Sequence, residues 1–328
     1  MIESSDNPPT RPENVLSKVI QTLPDIGSGD CKYVNSILSD LEKESMFYTI
    51  KNEIKWNGMN LKGNSVPRLV NIQSEVYTNS NDKIMFPLYR HPVDEHPMQI
   101  EFTPMVRMLK DRTEDILGFK RGYFNHCLIQ LYLGGGSFIN DHSDKTLDIA
   151  RDTCIVNLTL GSVRYMRIKN KEKSHQLIES KKIKLENGSL FVLGLETNKN
   201  FYHGIKQDNR DIKLKERDET NFNCERISLT FRNIATFIDT DKKITGQGAR
   251  KGLPMDPMKD TTEMVRAFGK ENNDKNFNWQ DVYGCGFDSI DLRLMLPTSS
   301  VPTTVQATVQ EIVPTTVQTI IQITEQKR

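Results

Sequence analysis

"YLGGGSFINDHSDKTLDIARDTCIVNLTLGSVRYMRIK", residues 132–169, is the stretch on which the fold reading turns. Its second half holds two apolar-rich runs that meet at Gly161-Ser162, which reads as two short strands and a turn. Its first half sets His142 and Asp144 two residues apart, where three glycines give way to a strand. On an extended backbone, positions i and i+2 share a face, so imidazole and carboxylate can converge on one point. Taken alone, that spacing is equally what a polar surface turn would show.

Working outward, the same texture continues on both sides. "NHCLIQLYL" (125–133), "SLFVLG" (189–194), "NFYHGIK" (200–206) and "RISLTFRNI" (226–234) read as further short strands, with Asn187-Gly188 as a turn. Many short strands with turn signals between them imply a sandwich or jelly roll. The charged segment 207–225 reads as a loop. Upstream, Val34, Ile37, Leu38 and Leu41 recur at helical spacing after Gly29-Asp30, predicting a helix there. Residues 56–97 are extended and punctuated by proline. Thr103-Pro104 opens a second helix through roughly Leu117. Downstream, "GQGARKGLP" (246–254) reads as a linker, and a short helix near Thr261–Lys270 and the aromatic run 276–288 are expected to pack back on the core. The Val/Thr/Pro/Gln repeats from Thr298 predict a disordered, low-complexity tail.

Composition narrows the class. The 328 residues carry a net charge of +1, with 36% hydrophobic and 27% charged residues, so no whole-chain field draws the protein to polyanions. No apolar run nears the roughly 20 residues of a membrane span, and the first residues lack a signal-peptide pattern. Five scattered cysteines (31, 127, 154, 224, 285) without a C-x-x-C predict free thiols in a reducing compartment, cytoplasm or nucleus. Cys127 and Cys154 read as small core residues.

The chemistry-bearing candidates come from separate strands. His203 in "NFYHGIK" could supply a third ligand, completing a two-histidine, one-carboxylate face of the kind that holds Fe(II) and leaves positions open. In "RISLTFR", Arg226, Ser228, Thr230 and Arg232 share one face and Ile227, Leu229 and Phe231 the other. Two arginines without carboxylates on their own strand would need a dianion between them, unless protein acids pair with them. His91, His96, Asp94 and Glu95 resemble a second metal cluster, although Pro92 and Pro97 favour a polar loop. His126 and His175 have no evident partner.

Taken together, "NHCLIQLYLGGGSFINDHSD", "FYHGI" and "RISLTFR" resemble the AlkB-like branch of the Fe(II)/2-oxoglutarate-dependent dioxygenases, over roughly Asn125 to Ile234. Flanking stretches such as "PLYRHPVDEHP" and "ITGQGA" resemble a fungal-type subgroup of it. The resemblance implies an α+β fold: a double-stranded β-helix (jelly-roll) core, N-terminal helices, an extended substrate-lid region and a disordered tail. The corresponding divisions are a flexible 1–28, a lid and support region 29–124, the core 125–238, a C-terminal extension 239–297 and the tail 298–328. It implies that His142, Asp144 and His203 hold Fe(II), that Arg226 meets the distal carboxylate of 2-oxoglutarate and Arg232 its metal-chelating end, and that Tyr132 hydrogen-bonds it. Gln130 stands where the family often has Asn, Ser228 replaces an amide between the arginines, and one extra residue separates Tyr132 from His142.

The implied activity is oxidation of a C–H bond by O₂, with 2-oxoglutarate consumed and an N-methyl target released as formaldehyde. The substrates expected are N-alkylated bases in DNA or RNA, acted on by a monomer with no membrane association. Thirteen Lys/Arg against six acids in residues 160–215 suggest a basic rim for phosphates, and Tyr77, Phe86 and Tyr89 could stack on a base. Two alternatives stay open: a protein or small-molecule target, and a non-catalytic jelly-roll interaction module.

Overall fold

In the computed structural model, residues 20–172, 180–274 and 276–293 are described. The low-complexity tail, His175 and the first 19 residues lie outside them. In chain order the strands are β1 (Gln21–Leu23), β2 (Cys31–Val34), β3 (Asn60–Leu61), β4 (Asn64–Ser65), β5 (Leu69–Ser74), β6 (Tyr77–Thr78), β7 (Ile84–Pro87), β8 (Gln99–Glu101), β9 (His126–Tyr132) and β10 (Ile139–His142). They continue as β11 (Cys154–Gly161), β12 (Arg164–Asn170), β13 (Lys181–Leu185), β14 (Leu190–Gly194), β15 (Phe201–Ile205), β16 (Arg226–Arg232), β17 (Thr236–Asp239) and β18 (Ile244–Gly246). The helices are α1 (Asp40–Glu53), α2 (Pro104–Leu117), α3 (Leu195–Asn200), α4 (Arg217–Thr220), α5 (Pro257–Asn273) and α6 (Trp279–Tyr283).

Two sheets carry the architecture. The larger runs β1-β2-β14-β11-β16-β9-β5-β8 and the smaller β10-β15-β12-β13, with β11, β16 and β9 adjacent and antiparallel at the centre of the larger one. Period-two alternation in β16 assigns its two faces. Ile227, Leu229 and Phe231 join Ile129, Leu131, Leu158 and Leu160 in a core closed by Phe47 and Ile50 of α1 and Val106 and Leu109 of α2. The polar positions 226, 228, 230 and 232 therefore point to the opposite face, toward the smaller sheet. There Tyr132, Ile155, Met166, Ile168, Phe191 and Ile205 form a second core.

Several expectations for the flanks are corrected. The periodic residues after Asp30 do not start a helix: Cys31–Val34 is a strand paired with β14 and β1. Helix α1 begins at Asp40, where the Ser39 N–H donates to Glu42 Oε2 at 2.8 Å, and Leu41 is 91% exposed. That capping box outcompetes the weaker Gly-Asp start signal. Residues 21–23, within the segment expected to be flexible, form strand β1. Strands β2, β5 and β8, from the 29–124 region expected to form the lid and support, join the main sheet. Helix α2 starts and ends as expected, with Thr103 as N-cap and Gly118 in the left-handed conformation behind it.

"GQGARKGLP" is not a linker. Gly248 accepts a hydrogen bond from Arg90 Nη2 at 2.7 Å and donates to Thr236 Oγ1 at 2.9 Å. A Cβ there would lie 2.4 Å from Asp148 Oδ1 and 2.5 Å from Arg90 Nη2, so only glycine admits this approach. Arg90 and Asp148 are both fully buried and paired at 2.7 Å, while Arg90 Nη1 donates to the carbonyls of Phe287 (2.8 Å) and Ser289 (3.1 Å). One guanidinium thus joins residues after β7, the loop behind the His-x-Asp segment and the C-terminal extension. There α5 is longer than the short helix expected, and it packs Met264 and Phe268 with Leu147, Tyr283 and Phe287.

Removing one partner of a buried pair strands the other charge. Asp148→Ala is expected to lower unfolding free energy by about 3–5 kcal/mol, read as a lower denaturation midpoint in urea. A shift below about 1 kcal/mol, the range of surface pairs, would show that Arg90 does not rely on this carboxylate.

Candidate metal and cosubstrate site

His142 and His203 are opposite one another across the β10–β15 pairing, with a register irregularity between Ile139 and His142. Their rings lie 4.3 Å apart. Asp144, two residues past His142, places Oδ1 3.6 Å from His142 Nε2 and 3.7 Å from His203 Nε2. One ligand atom from each side chain lies within 4.8 Å of the other two. The three expected ligands therefore do converge.

The surroundings hold these groups in ligand form. His142 Nδ1–H donates to the Asn140 carbonyl at 2.8 Å, which leaves the Nε2 lone pair free for a metal. Burial, with His142 alongside, pulls the His203 imidazole down to about 4, so it is neutral at pH 7. Burial alone would raise the Asp144 carboxyl, but the Arg232 guanidinium and both imidazoles outweigh it and hold it well below the usual range. The backbone of Asp144 is fixed by Asn198, which accepts from its N–H and donates to its carbonyl, both at 2.9 Å. Ser143 N–H donates to Asn272 Oδ1 at 3.1 Å.

Arg232 takes the alternative left open by the sequence, a protein acid as partner, while its Nη1 stays buried without a hydrogen-bond partner. Its Nη2 and Nε donate to Asp144 Oδ2 at 2.6 and 3.2 Å, and the Tyr89 ring lies 4.2 Å from its guanidinium carbon. Here the protein acid is the partner, which the sequence could not show because Asp144 lies 88 residues away. Tyr89, considered as a base-stacking side chain, is buried beside this pair. Tyr77 lies in the small sheet with β7, packed edge-on against Phe237, and Phe86 is paired through β7 with β17, so neither lines the cavity.

Arg226 is different. It is fully buried, and its Nη2 donates to Asn157 Oδ1 and Thr159 Oγ1, both at 2.9 Å, while Nε and Nη1 have no hydrogen-bond partner. Burial pulls it down to about 10, so it remains a cation. The β9–β16 register sets Arg226 opposite Tyr132 and Ser228 opposite Gln130. Asn157 Nδ2 reaches Ser228 Oγ at 2.6 Å and Thr230 Oγ1 at 3.1 Å. Asn157 and Thr159 were not singled out from the sequence, although their polar side chains alternate with apolar ones in "CIVNLTL". Arg226, Tyr132, Gln130, Asn157, Ser228 and Thr230 line one cavity of about 610 Å³ with the three metal-ligand candidates at its wall.

The glycine run before His142 has a local cause. Gly135 lies against the 207–210 loop so closely that a Cβ would fall 2.1 Å from the Asp208 carbonyl oxygen. Arg164 donates to the carbonyls of Gly134, Ser137 and Lys206, at 3.0, 3.0 and 2.7 Å, fixing that turn.

This geometry agrees with what related proteins are. Residues 30–232 match the family described as the 2OG-Fe(II) oxygenase superfamily. The chain belongs to that superfamily. The buried His-Asp-His group with a cation behind it suits the Fe(II) and 2-oxoglutarate named in that description. Among curated relatives it is 30% identical over 135 residues to an uncharacterized protein R406 of Acanthamoeba polyphaga mimivirus. It is 24% identical over 137 residues to the mouse DNA oxidative demethylase ALKBH2, in line with the AlkB-like resemblance of its motifs. These matches cover 41% and 40% of the chain and 61% and 52% of the relatives' own lengths. A solved structure of OsALKBH1 aligns with TM-score 0.40 at 13% identity, over 66% of this chain and all of that one.

The second cluster considered, around His91 and His96, is a structural joint. Asp94 accepts the N–H groups of Lys62 (2.5 Å) and Gly63 (2.7 Å), capping the β3–β4 turn, and Glu95 pairs with Arg293. The two imidazoles pack edge to face, and burial pulls His91 well down and His96 to about 4. His126 is likewise buried, with its ring against Tyr89. Among the described residues, His142, Asp144 and His203 are the one group with metal-ligand geometry.

The two arginines should separate in binding experiments. Arg226→Met is expected to weaken 2-oxoglutarate binding by roughly 30-fold or more, from ~2 kcal/mol or more for a lost buried charge partner, with Mn(II) affinity near wild type. Arg232→Met should instead weaken Mn(II) binding, because Asp144 loses the cation that keeps it ionised. Equal loss of both ligands in both variants, by calorimetric titration, would contradict this division.

Proposed function

We propose that the protein is an oxidative demethylase of N-alkylated bases in DNA or RNA. In this reading His142, Asp144 and His203 hold Fe(II), and the two unpartnered N–H groups of Arg226 bind the distal carboxylate of 2-oxoglutarate. Carboxylate recognition by a paired guanidinium donor set is strong and directional. Tyr132, opposite Arg226, and Gln130, opposite Ser228, border the same cosubstrate. When bound, Fe(II) with 2-oxoglutarate and O₂ supplies C–H hydroxylation, giving succinate and CO₂ and, from an N-methyl group, formaldehyde and the free N–H.

This chain's own residues do the positioning. Arg232 keeps the Asp144 carboxylate charged and aimed, and the Asn140 carbonyl sets the His142 tautomer. The apolar wall of Leu128, Ile155 and Leu193 limits water around the reacting carbon. The nucleic-acid substrate is supported by similarity to the DNA oxidative demethylase ALKBH2 of mouse and cattle and by a cavity within the size range of small-molecule sites. The observation that carries the reading is the convergence of three ligands on a cavity whose buried Arg226 lacks a carboxylate partner.

One observation favours a protein or small-molecule target instead. Four of the thirteen cations in the basic stretch 160–215 are already engaged: Arg167 with Asp141, Lys184 with Glu186 and Asp218, Arg210 with Asp208 and Glu219, and Lys215 with Asp208. A rim paired in part attracts phosphate less than the sequence count implies.

Succinate and formaldehyde should form together when Fe(II), 2-oxoglutarate and single-stranded oligonucleotides carrying N-methylated bases are supplied. His203→Ala should abolish both products. Stoichiometric formaldehyde from a methylated peptide or metabolite and none from any oligonucleotide would replace the substrate class. Wild-type protein that neither binds Mn(II) nor forms succinate would return the fold to an interaction module.

A further inference from the structure

One wall of the cavity is built by a segment beyond the matched family region, which ends at residue 232. Helix α5 contributes Val265, Phe268, Gly269, Asn272 and Asn273 to the lining. The helix is fastened to the ligand-bearing loop: Asn272 accepts from Ser143 N–H, and Glu271 accepts from Thr146 N–H at 2.9 Å. The wall is therefore held in fixed relation to His142 and Asp144.

Gly269 breaks this wall. A side chain there would meet nothing within 4 Å, so the glycine leaves a notch on the rim that packing does not require. Glycine inside a helix lowers helix stability relative to alanine, so the notch is not explained by folding. Beyond it runs a shallow groove lined by Arg266, Gly269, Lys270, Asn273 and Asp274, which shares Gly269 and Asn273 with the cavity. Arg266 and Lys270 are exposed and four residues apart, which puts them on one side of the helix. Neither forms an ion pair among the described residues. Asp274 closes the far end with an opposite charge.

We propose that α5 is the exit track for a single nucleic-acid strand: the target base sits in the cavity, the backbone leaves over Gly269, and Arg266 and Lys270 meet its phosphates. This rests on the nucleic-acid reading above and adds where the strand runs. Continuity with the cavity and the sign of the two side chains select a polyanionic strand. Such contacts release counterions, so they must appear as salt dependence.

The test compares wild type with Arg266→Glu/Lys270→Glu, whose changed side chains are exposed, for demethylation of a methylated single-stranded oligonucleotide across 50–200 mM salt. The expected result is a kcat/KM at least tenfold lower at the low-salt end, carried by KM, with the salt slope reduced by roughly 1–2 for two lost phosphate contacts. Gly269→Phe, which fills the notch, should lower kcat/KM by a similar factor at both salt concentrations, because steric blockage is not screened. If wild type demethylates the oligonucleotide and the charge-reversed protein matches it in rate and slope, the track is overturned while the dealkylase reading stands. If wild type demethylates no oligonucleotide, both fall together.

Discussion

A single buried ion pair, Arg232 with Asp144, organises the chemical half of the molecule. A carboxylate taken out of water tends to hold its proton, and a protonated acid is a poor metal ligand. With Arg232 Nη2 2.6 Å away, Asp144 remains an anion in a buried setting. The pair also sets direction: Oδ2 is taken by the guanidinium, which leaves Oδ1 toward the two imidazoles. The Tyr89 ring covers the cation, so the arginine has little freedom to turn elsewhere. Without this contact the two histidines would still face one another across β10 and β15, but they would lack a charged third ligand.

The pair can exist because of strand register. β16 is flanked by β11 and β9, and its alternation sends aliphatic side chains to the helices and polar ones to the cavity. A one-residue slip would bury four polar side chains against α1 and α2, so the hydrophobic core enforces the placement of the site. The same logic acts on β11, where Asn157 and Thr159 share the cavity face and take up one nitrogen of Arg226. Arg226 is thereby half satisfied. It is anchored by neutral acceptors and retains unpartnered donors, which is a different state from the fully paired Arg90.

How much of this was legible in the sequence follows from the range of each interaction. Alternation within six residues and caps within four are local, and so the central strands and helix α2 could be read directly. The ligand trio was legible through its resemblance to a known pattern, since spacing alone left His142 and Asp144 as a possible surface turn. Partners far apart in sequence were not legible: Arg232 with Asp144, Arg90 with Asp148, and Asp94 with the turn at Lys62-Gly63. The helix expected after Asp30 failed for a related reason. The pairing of Cys31–Val34 with β14 is a tertiary contact that overrides a local period of apolar residues.

Those long-range contacts also explain why the C-terminal extension bears on function. Arg90 donates to the carbonyls of Gly248, Phe287 and Ser289 while gripping Asp148, four residues after Asp144. Glu271, buried and accepting from Thr146 and Tyr283, sits on the same loop from the other side. Ser143 and Thr146 are therefore held by Asn272 and Glu271, outside the matched family region, while Asp148 is held by Arg90 within it. Hydrogen bonds to Asn272 and Glu271 tie this wall to the loop of His142 and Asp144, so the shape of the cavity mouth and the position of the candidate ligands are set together. The extension is in this sense part of the site: Val265, Phe268, Gly269, Asn272, Asn273 and Leu292 complete a cavity whose other lining residues lie within the matched family region.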